Sequence, residues 1–396
     1  MAHALRVAIA GGGLGGLFAA ATLARLGHEV SVHERAERFE EIGAGVQMSP
    51  NASRLLRRID ALSEVEAAAF RPEAAELRLG RSGATVLHLP LGDVAEARWG
   101  SPYLNVHRAD LLAALERSAR AAGVRLELGA SAAGAESDGG SAALRLDTGE
   151  EVEADLVIGA DGSRSAIREA IQGPAPARYT GQTAWRGLVS AEALPPGLIH
   201  PAATVWAGVG RHLVTYHLRR GALVNFVAVV EEPVWKGEDW RTAGDVASLR
   251  EAFEGWAPGA AAVLAAAESC SLWGLFDRPP LASWRSGRIT LLGDACHPML
   301  PFMAQGAAQA FEDGAALALS LTREKSPEAA LRRYEHVRKP RATRVQRMAW
   351  SNARLFHARP GVESVARYAP IAIGARLAPR LALSQLDWLY GHDAGA

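Results

Sequence analysis

The stretch RVAIAGGGLGGLFAAATLARLGHEVSVHE, residues 6–34, decides the fold. It begins with an apolar, strand-like run up to Ala10, passes through glycines into an alanine and leucine run to Leu26, and ends in a second strand-like run, residues 29–33. This order predicts a β-turn-α-β unit. A secretory signal is disfavoured here, because glycines weaken the uninterrupted helix that the apolar region of a signal forms.

The glycines between the first strand and the helix follow the spacing G-x-G-x-x-G, at Gly11, Gly13 and Gly16. In such a turn the first glycine allows a tight bend, the second lets a pyrophosphate approach the backbone, and the third lets helix and strand pack closely. Glu34 ends the second strand, where a carboxylate can accept hydrogen bonds from ribose hydroxyls. The pattern predicts a dinucleotide site; an ordinary glycine-rich turn beside an exposed glutamate is the alternative.

Two later segments also join a buried strand to a turn. GADGSRSAIR, residues 159–168, places Asp161 at a strand end, and GDACHPMLP, residues 293–301, places Asp294 at another. An aspartate there can bind a polyol chain, although capping of the following helix is a common alternative role. Cys296 and His297 have no partner for thiolate or metal chemistry in the sequence pattern, so we predict no metal site and a packing role for both residues.

Strand-like runs fill the middle of the chain, from Gly181 to about Val230: TAWRGLVS, TVWAGV, HLVTYHL and ALVNFVAVVE. Residues 75–90 alternate in the same way, residues 108–122 have helical periodicity, and the glycine- and serine-rich residues 129–141 are expected to form hairpin loops. These patterns predict an antiparallel sheet, and the chain after Pro340 is expected to be mostly helical.

The composition narrows the possible partners. The 396 residues include 43 Lys and Arg and 43 Asp and Glu, so no net charge attracts nucleic acid or an anionic membrane. With 49% hydrophobic and 22% charged residues the chain is expected to fold fully. Two cysteines, Cys270 and Cys296, fit a reducing cytoplasm, and no apolar run predicts a membrane span.

The glycine motif, the DG segment and the GD segment, in this order and spacing, resemble those of the single-component (group A) FAD-dependent aromatic hydroxylases. The resemblance covers almost the whole chain. Five segments are similar to the branch acting on salicylate, 3-hydroxybenzoate and 6-hydroxynicotinate: EIGAGVQMSPNA (41–52), AWRGLV (184–189), HLVTYHL (212–218), PFMAQGAAQAFEDG (301–314) and DWLYGHD (387–393). One departure is AQGAA at residues 304–308, where the wider family often has G-Q-G-x-N, so an asparagine contact is lost while the backbone amides remain.

The resemblance implies an α/β fold with a discontinuous Rossmann-like FAD-binding domain, an inserted β-sheet substrate domain and a C-terminal helical segment. The expected boundaries are 1–72, 101–178 and 281–345 for the FAD-binding domain, 73–100 and 179–280 for the substrate domain, and 346–396 for the helical segment.

The implied activity is a monooxygenase that reduces FAD with NADH or NADPH, forms a flavin hydroperoxide with O2, and hydroxylates a small aromatic acid such as salicylate or 3-hydroxybenzoate. We expect non-covalent FAD and a monomer or homodimer. An epoxidase or reductase of the same fold, or a non-catalytic flavin-binding protein, is the alternative.

The resemblance also implies which residues bind FAD. They are Gly11, Gly13, Leu14, Gly15, Gly16, Glu34, Arg35, Arg108, Asp161, Asp294, Gly306 and Ala307. Arg108 resembles the family's FAD-contacting arginine, with a solvated arginine as the alternative. The amides of Gly306 and Ala307 are expected near the flavin pyrimidine ring.

For the substrate pocket the resemblance implies His212, Tyr216 and Gln305 as catalytic residues. A phenol reacts better as a phenolate, and a histidine with an ordinary pKa near 6.5 suits the task of base at neutral pH. Tyr216 lies four residues after His212, hence on the same face of a strand; a satisfied sheet-edge histidine is the alternative for His212.

Three further residues are expected to bind substrate: Gln47, Phe302 and Arg186. A guanidinium can bind a substrate carboxylate through two hydrogen bonds, but Arg186 could equally brace the sheet. In the branch that the sequence resembles, pyridine-hydroxylating members tend to have histidines at the positions of Gln47 and Phe302, so the resemblance implies a benzenoid substrate.

Overall fold

The computed structural model describes residues 4–39, 45–235, 241–359 and 362–396. The strands within these ranges are β1 (Arg6–Ala10), β2 (Glu29–Glu34), β3 (Gly45–Met48), β4 (Ala74–Leu79), β5 (Thr85–Pro90), β6 (Leu104–His107), β7 (Arg125–Leu128), β8 (Ala132–Ser137), β9 (Ala142–Leu146), β10 (Glu151–Ala154), β11 (Leu156–Gly159), β12 (Arg178–Ser190), β13 (Ala202–Gly208), β14 (Arg211–Leu218), β15 (Leu223–Glu231), β16 (Arg241–Gly244), β17 (Cys270–Asp277), β18 (Arg285–Ser286) and β19 (Ile289–Leu291). The helices are α1 (Leu14–Arg25), α2 (Pro50–Arg58), α3 (Leu62–Ala68), α4 (Gly92–Trp99), α5 (Arg108–Ala121), α6 (Ala166–Gln172), α7 (Val246–Ala252), α8 (Pro258–Ala265), α9 (Gly306–Arg323), α10 (Pro327–Phe356), α11 (Val362–Leu377), α12 (Pro379–Ser384) and α13 (Asp387–Tyr390).

A six-stranded sheet carries the N-terminal unit, in the order β18-β19-β11-β1-β2-β7. Its strands are parallel except for β18, which pairs antiparallel with β19. The strands at its centre are nearly continuous apolar runs because helices cover the sheet. Across α1 and α9, the rings of Phe18 and Phe311 stack with centroids 4.6 Å apart. The mixed α/β fold expected from the sequence is confirmed.

An eight-stranded sheet forms a second layer, in the order β16-β17-β12-β15-β14-β13-β4-β5. The pairs are antiparallel except for β13 with β4. The four runs predicted between Gly181 and Val230 form β12 to β15, and the alternating residues 75–90 supply β4 and β5. This sheet therefore unites two separate parts of the chain.

Residues 129–141 differ from the expected hairpin loops. Residues 132–137 form β8, which pairs with β9 in a small three-stranded sheet, β10-β9-β8. Alanine, glycine and serine have low strand propensity, so pairing with β9 and packing on α6 supply what the local sequence does not.

Helix α10 spans thirty residues and passes through Pro340 without ending. The expected boundary between residues 345 and 346 thus lies inside this helix, and the domain boundaries as a whole stay predictions. The chain after α10 folds back, because Arg341 on α10 donates hydrogen bonds to the carbonyls of Trp388 and Leu389. Among the described helices, none combines the length and apolarity that a membrane crossing needs.

Candidate active site

The glycine turn between β1 and α1 has the geometry that the spacing predicts. Gly11 has φ +101°, and its amide donates to the carbonyl of His33, 2.8 Å away. A Cβ on Gly16 would lie 2.0 Å from the Gly11 carbonyl oxygen, so only glycine allows this approach of helix to strand. A Cβ on Gly13 would meet nothing within 4 Å. Gly13, which caps α1, therefore faces open space at the positive end of the helix dipole.

Glu34 closes this turn from the next strand. Its Oε2 accepts from the amide of Gly12 at 2.6 Å and its Oε1 from the amide of Ala36 at 3.0 Å. A carboxylate oxygen has more than one acceptor site, so ribose hydroxyls can still bind here. Arg35 is exposed beside it.

Neither the Leu14 side chain nor a Cβ added at Gly15 would reach the open space. Leu14 is buried, and a Cβ on Gly15 would lie 2.9 Å from the Ala310 Cβ on α9 and the Leu292 Cδ2. These two residues offer backbone amides at the start of α1, and Gly15 also keeps α1 close to α9.

The start of α9 forms a second set of open amides. Gly306 has nothing within 4 Å of an added Cβ, and Ala307 is partly exposed. Earlier in the sequence, in the GD segment, Gly293 adopts φ +62° and its amide donates a hydrogen bond to the Asp313 carboxylate. The neighbouring Asp294 side chain is exposed, yet enclosed closely enough by protein that desolvation raises its pKa, while His297 and Arg108 oppose that rise.

Asp161 and Arg108 flank the same region. Oδ2 of Asp161 accepts from the amide of Ile167 at 3.2 Å, as a helix-capping group does, but its Oδ1 is buried with no hydrogen-bond partner among the described residues. Burial raises the pKa of this carboxyl group. Arg108 begins α5, and its charge acts on both Asp294 and Arg186.

These residues fit FAD. The cofactor carries a pyrophosphate, which suits the amides at Gly13, and a polyol chain, which suits the accessible carboxylate of Asp294. The open amides of Gly306 and Ala307 and the unpaired Oδ1 of Asp161 add donors and an acceptor that the protein itself leaves unused.

The face of the eight-stranded sheet that carries His212 also carries the other predicted side chains. Across β14 and β15, His212 pairs with Val229 and Tyr216 pairs with Asn225. On β12, Arg186 pairs with the β15 residue two positions from each of these, so its side chain lies on the same face. Directly paired residues, and residues two apart on a strand, lie on one face. The backbones of β12 and β14 are two strand spacings, or about 10 Å, apart, so one face carries both a guanidinium and an imidazole.

Arg186 is half-buried and has no carboxylate partner among the described residues. Its Nε is buried and unpaired, and its guanidinium lies over the Trp273 ring, 5.3 Å from the centroid. Desolvation lowers its pKa, Tyr216 raises it and Arg108 lowers it, but an arginine remains charged at neutral pH. A buried N–H without an acceptor is costly, and the group carries a positive charge, so an anionic ligand is favoured at this position.

His212 is fully buried, and its Nε2 has no partner among the described residues. Its Nδ1 lies 2.7 Å from Nε2 of His357. The rings of Phe302 and Phe356 pack around it, with centroids 5.0 and 5.2 Å from that of His212. Burial, with a smaller effect of His357, lowers the His212 pKa well below its usual value.

Tyr216 contacts the loop end at Gly45. A Cβ on Gly45 would lie 2.6 Å from the Tyr216 hydroxyl, and the Gly45 amide donates to Oδ1 of Asn225. Burial raises the Tyr216 pKa, so the hydroxyl stays protonated and can donate. The Asn225 Nδ2 is buried and unpaired within the described chain. The first residues of the EIGAGVQMSPNA segment, 41–44, lie outside the described residues.

The side chains of Gln47 and Gln305 both bind other protein groups. Oε1 of Gln47 accepts from the Tyr103 hydroxyl at 2.8 Å. Gln305 is buried, with its Nε2 donating to the Ser49 hydroxyl and its Oε1 accepting from Asn51. Gln305 thus ties the start of α9 to the start of α2, and its direct contact with substrate stays a prediction.

Cys296, His297 and Asp313 form the one group of potential metal ligands among the described residues. Asp313 already accepts from the Gly293 amide, bonds Nε2 of His297 at 2.6 Å and accepts from Nε of Arg338 at 2.8 Å. A guanidinium in contact with the carboxylate repels a metal cation, and these contacts account for the cluster as structural.

Sequence reasoning missed two residues of this region, Asn225 and His357. Asn225 interrupts the apolar strand ALVNFVAVVE, and a polar residue at a buried strand position was a usable signal. His357 follows α10 and is 145 residues from its partner His212, a distance over which no pattern indicates contact.

The chain was compared with known families, curated proteins and solved structures. The family described as FAD binding domain matches residues 4–349. A 3-amino-4-hydroxybenzoate 2-monooxygenase of Streptomyces platensis is 38% identical over 393 residues, covering 99% of this chain and 97% of the relative. A 6-hydroxynicotinate 3-monooxygenase of Bordetella bronchiseptica is 38% identical over 351 residues, covering 88% and 91%.

Solved structures agree with the fold. A salicylate hydroxylase substrate complex superposes with TM-score 0.82 at 25% identity, covering 99% of this chain and 96% of that one. HpxO of Klebsiella pneumoniae, complexed with FAD and uric acid, gives TM-score 0.82 at 28% identity over 96% and 97% of the two chains. With the match over residues 4–349 and the open amides where FAD fits, the chain belongs to the FAD binding domain family and is a flavoprotein monooxygenase.

Proposed function

We propose that this flavoprotein hydroxylates a small aromatic acid that carries a ring hydroxyl or amino group, with NADH or NADPH as reductant and O2 as oxidant. One observation carries the proposal: the guanidinium of Arg186, whose Nε is buried and has no hydrogen-bond partner among the described residues, shares a sheet face with Nε2 of His212, which is also buried and without a partner there. The names of the relatives support the same substrate class.

In this proposal the pocket fixes the substrate at two points. Arg186 binds the carboxylate, which gives its buried Nε–H an acceptor. His212 accepts a hydrogen bond, and then the proton, from the ring hydroxyl, and the protonated Tyr216 hydroxyl donates to the same oxygen as negative charge develops. Phe302, in contact with His212, keeps water from the ring.

The cofactor would be held between the turn before α1 and the start of α9. The amide of Gly13 would bind its phosphates, and the amides of Gly306 and Ala307 its ring. Glu34 and Asp294 would bind its hydroxyl groups. Asp161 and Arg108 would lie beside it. Bound FAD would supply the redox chemistry, namely hydride acceptance from the nicotinamide and transfer of one oxygen atom of O2 to the substrate ring.

The cytoplasm is the compartment we propose, since Cys270 and Cys296 are free thiols in the structure. An epoxidase or reductase of the same fold remains the competing activity, and it has no use for a carboxylate-binding guanidinium beside a base.

The test is a substrate panel with the FAD-loaded protein. NADH and NADPH oxidation and product identity are measured with salicylate, 3-hydroxybenzoate, 6-hydroxynicotinate and 3-amino-4-hydroxybenzoate, and with the same rings lacking the carboxylate. We expect at least one acid to stimulate oxidation and yield a hydroxylated product. Stimulation by none of the acids, or a product without added oxygen, contradicts the proposal.

Arg186→Gln sharpens this test. Loss of a charge-assisted contact should raise KM for the acid by about 10- to 100-fold, while the carboxylate-free ring is little affected. Arg178→Gln is the matched control, because Arg178 lies on the same strand and is already paired with Asp277 at 2.7 Å. Equal effects of both variants on KM would contradict a substrate role for Arg186.

A further inference from the structure

A hydrogen-bonded chain of three side chains leads from His212 to the protein surface. Nδ1 of His212 lies 2.7 Å from Nε2 of His357, and Nδ1 of His357 lies 2.9 Å from Oε1 of Glu231. The His212 and His357 rings are buried, whereas the Glu231 side chain is 58% exposed. We propose that His357 and Glu231 carry to solvent the proton that His212 takes from the substrate hydroxyl, an inference that rests on the proposed function.

The order of hydrogen bonds determines which nitrogen atom carries each proton. An ionised carboxylate only accepts, so Nδ1 of His357 must carry a hydrogen and donate to Glu231. In a neutral His357 the other nitrogen, Nε2, then accepts, and Nδ1 of His212 must be its donor. Nε2 of His212 is left with a lone pair and no partner among the described residues. The atom that would face a substrate hydroxyl is therefore a proton acceptor.

The surroundings explain why His212 needs a relay. Burial opposes a positive charge on His212 and lowers its pKa well below the usual value, and the aromatic rings of Phe302 and Phe356 offer no counter-charge. Burial also lowers the pKa of His357, but Glu231 faces it and opposes this decrease, while Arg211 adds to it. A positive charge is therefore more stable at His357 than at His212.

The transfer moves protons only. The substrate O–H bond breaks as an N–H bond forms at Nε2 of His212, while the proton on Nδ1 of His212 passes to Nε2 of His357. His357, now positive beside Glu231, releases the proton on its Nδ1 through the carboxylate to water. Each bond broken is replaced by one formed, no electrons leave or enter, and His212 ends neutral in its other tautomer.

The experiment follows proton exchange without turnover. The full chain with oxidised FAD binds 4-hydroxy-3-nitrobenzoate, whose colour reports ionisation of its hydroxyl, and the colour change is recorded after a rapid pH jump in weak buffer. Hydroxylation of the panel acids is measured in parallel. The variants are His357→Phe and Glu231→Gln.

The control is His217→Phe. His217 lies on the same strand, β14, but on the opposite face, where its ring packs on Phe70 with centroids 5.0 Å apart. Flavin content and probe affinity establish that each variant is folded.

We expect His357→Phe to slow the colour change at least about tenfold with probe affinity nearly unchanged, and His217→Phe to leave it as in the wild type. Glu231→Gln should also slow the colour change. Added imidazole should restore the rate in this variant, because the Glu231 end of the hydrogen-bonded relay is exposed to solvent. If His357 and Glu231 only stabilised the fold, their variants would lower stability or flavin content and imidazole would not restore the rate.

An unchanged colour-change rate in His357→Phe overturns the relay. If the panel acids are still hydroxylated in that case, the proposed function stands without it. A probe that does not bind, together with no hydroxylation of any acid, overturns the substrate class and the relay together.

Discussion

The glycines of the turn before α1 differ in what a side chain would meet, and this difference gives a sharp prediction. Gly13 has φ −70° and open space around an added Cβ, so valine can adopt its conformation without a clash. Gly13→Val should therefore fold, but its side chain would fill the space that the pyrophosphate needs. We expect FAD retained per folded chain to fall at least about tenfold, measured by flavin absorbance after gel filtration.

Gly15→Val is the control for packing. Its Cβ would lie 2.9 Å from the Ala310 Cβ and the Leu292 Cδ2, so the α1 and α9 contact must shift, at a cost of about 1–3 kcal/mol of unfolding free energy. Near-stoichiometric FAD in a folded Gly13→Val protein would show that the pyrophosphate does not approach the backbone at Gly13.

At the residue scale the sequence predicted groups that lie near one another on the chain or follow strand alternation. The turn at Gly11 and Gly16 has the expected geometry because its contacts are local. The spacing of His212 and Tyr216 predicted one shared face, which strand β14 has. His357 and Glu231 could not be predicted, since they meet only because the end of α10 packs on the sheet.

Helices α9 and α10 are joined by a buried charge network. Nη1 of Arg338 lies 2.5 Å from Oε2 of Glu312, and its Nε lies 2.8 Å from Oδ1 of Asp313. Desolvation pushes the pKa of both carboxyl groups up, but their cationic partners outweigh it and the pKa values are lowered. Arg338→Met should leave the buried Asp313 carboxylate without its guanidinium partner. Glu312 keeps a second partner, Arg341. We expect the unfolding free energy to fall by about 3–5 kcal/mol, measured by urea denaturation.

Two comparisons test the cause of that loss. Adding Asp313→Asn to Arg338→Met should recover part of the stability, because the carboxylate that lost its guanidinium partner is removed. Arg120→Met, which breaks an exposed pair with Glu116 on α5, should cost less than about 1 kcal/mol. Equal losses in Arg338→Met and Arg120→Met would mean that burial does not decide the strength of these pairs.

At the element scale, strongly patterned segments were predictable and weakly patterned ones were not. Residues 108–122 show helical periodicity and form α5 over Arg108–Ala121. Strand β8, rich in alanine and glycine, has no such signal and depends on its partner β9. Helix α10 continues through Pro340, although proline usually ends or kinks a helix, so local sequence alone does not set its length.

For the whole molecule, buried histidines should make stability fall in acid. Burial lowers the pKa of His28, His33, His212, His217, His357 and His392. Below the ordinary histidine pKa of about 6.5 the unfolded chain binds protons that the folded chain does not, so stability is lost as the pH falls through that value. Asp161 and Asp294, whose pKa values burial raises, act in the opposite direction.

His212→Leu tests this linkage. Each histidine that stays neutral in the fold contributes up to about 1.4 kcal/mol per pH unit to the slope of unfolding free energy against pH. We expect the variant's slope between pH 6.5 and 5 to be shallower than that of the wild type by up to this amount, measured by urea denaturation at each pH. Identical slopes would mean that His212 takes up a proton in the folded state.

Isotope labelling tests whether the chain transfers one oxygen atom of O2 to an aromatic acid. The FAD-loaded protein is supplied with NADH and with the acid that stimulates its oxidation, under an atmosphere of ¹⁸O2, and the product is analysed by mass spectrometry. We expect a hydroxylated acid that carries one ¹⁸O atom in its new hydroxyl group. A product whose new oxygen comes from water, or NADH oxidation that yields only hydrogen peroxide with every acid tested, would contradict it.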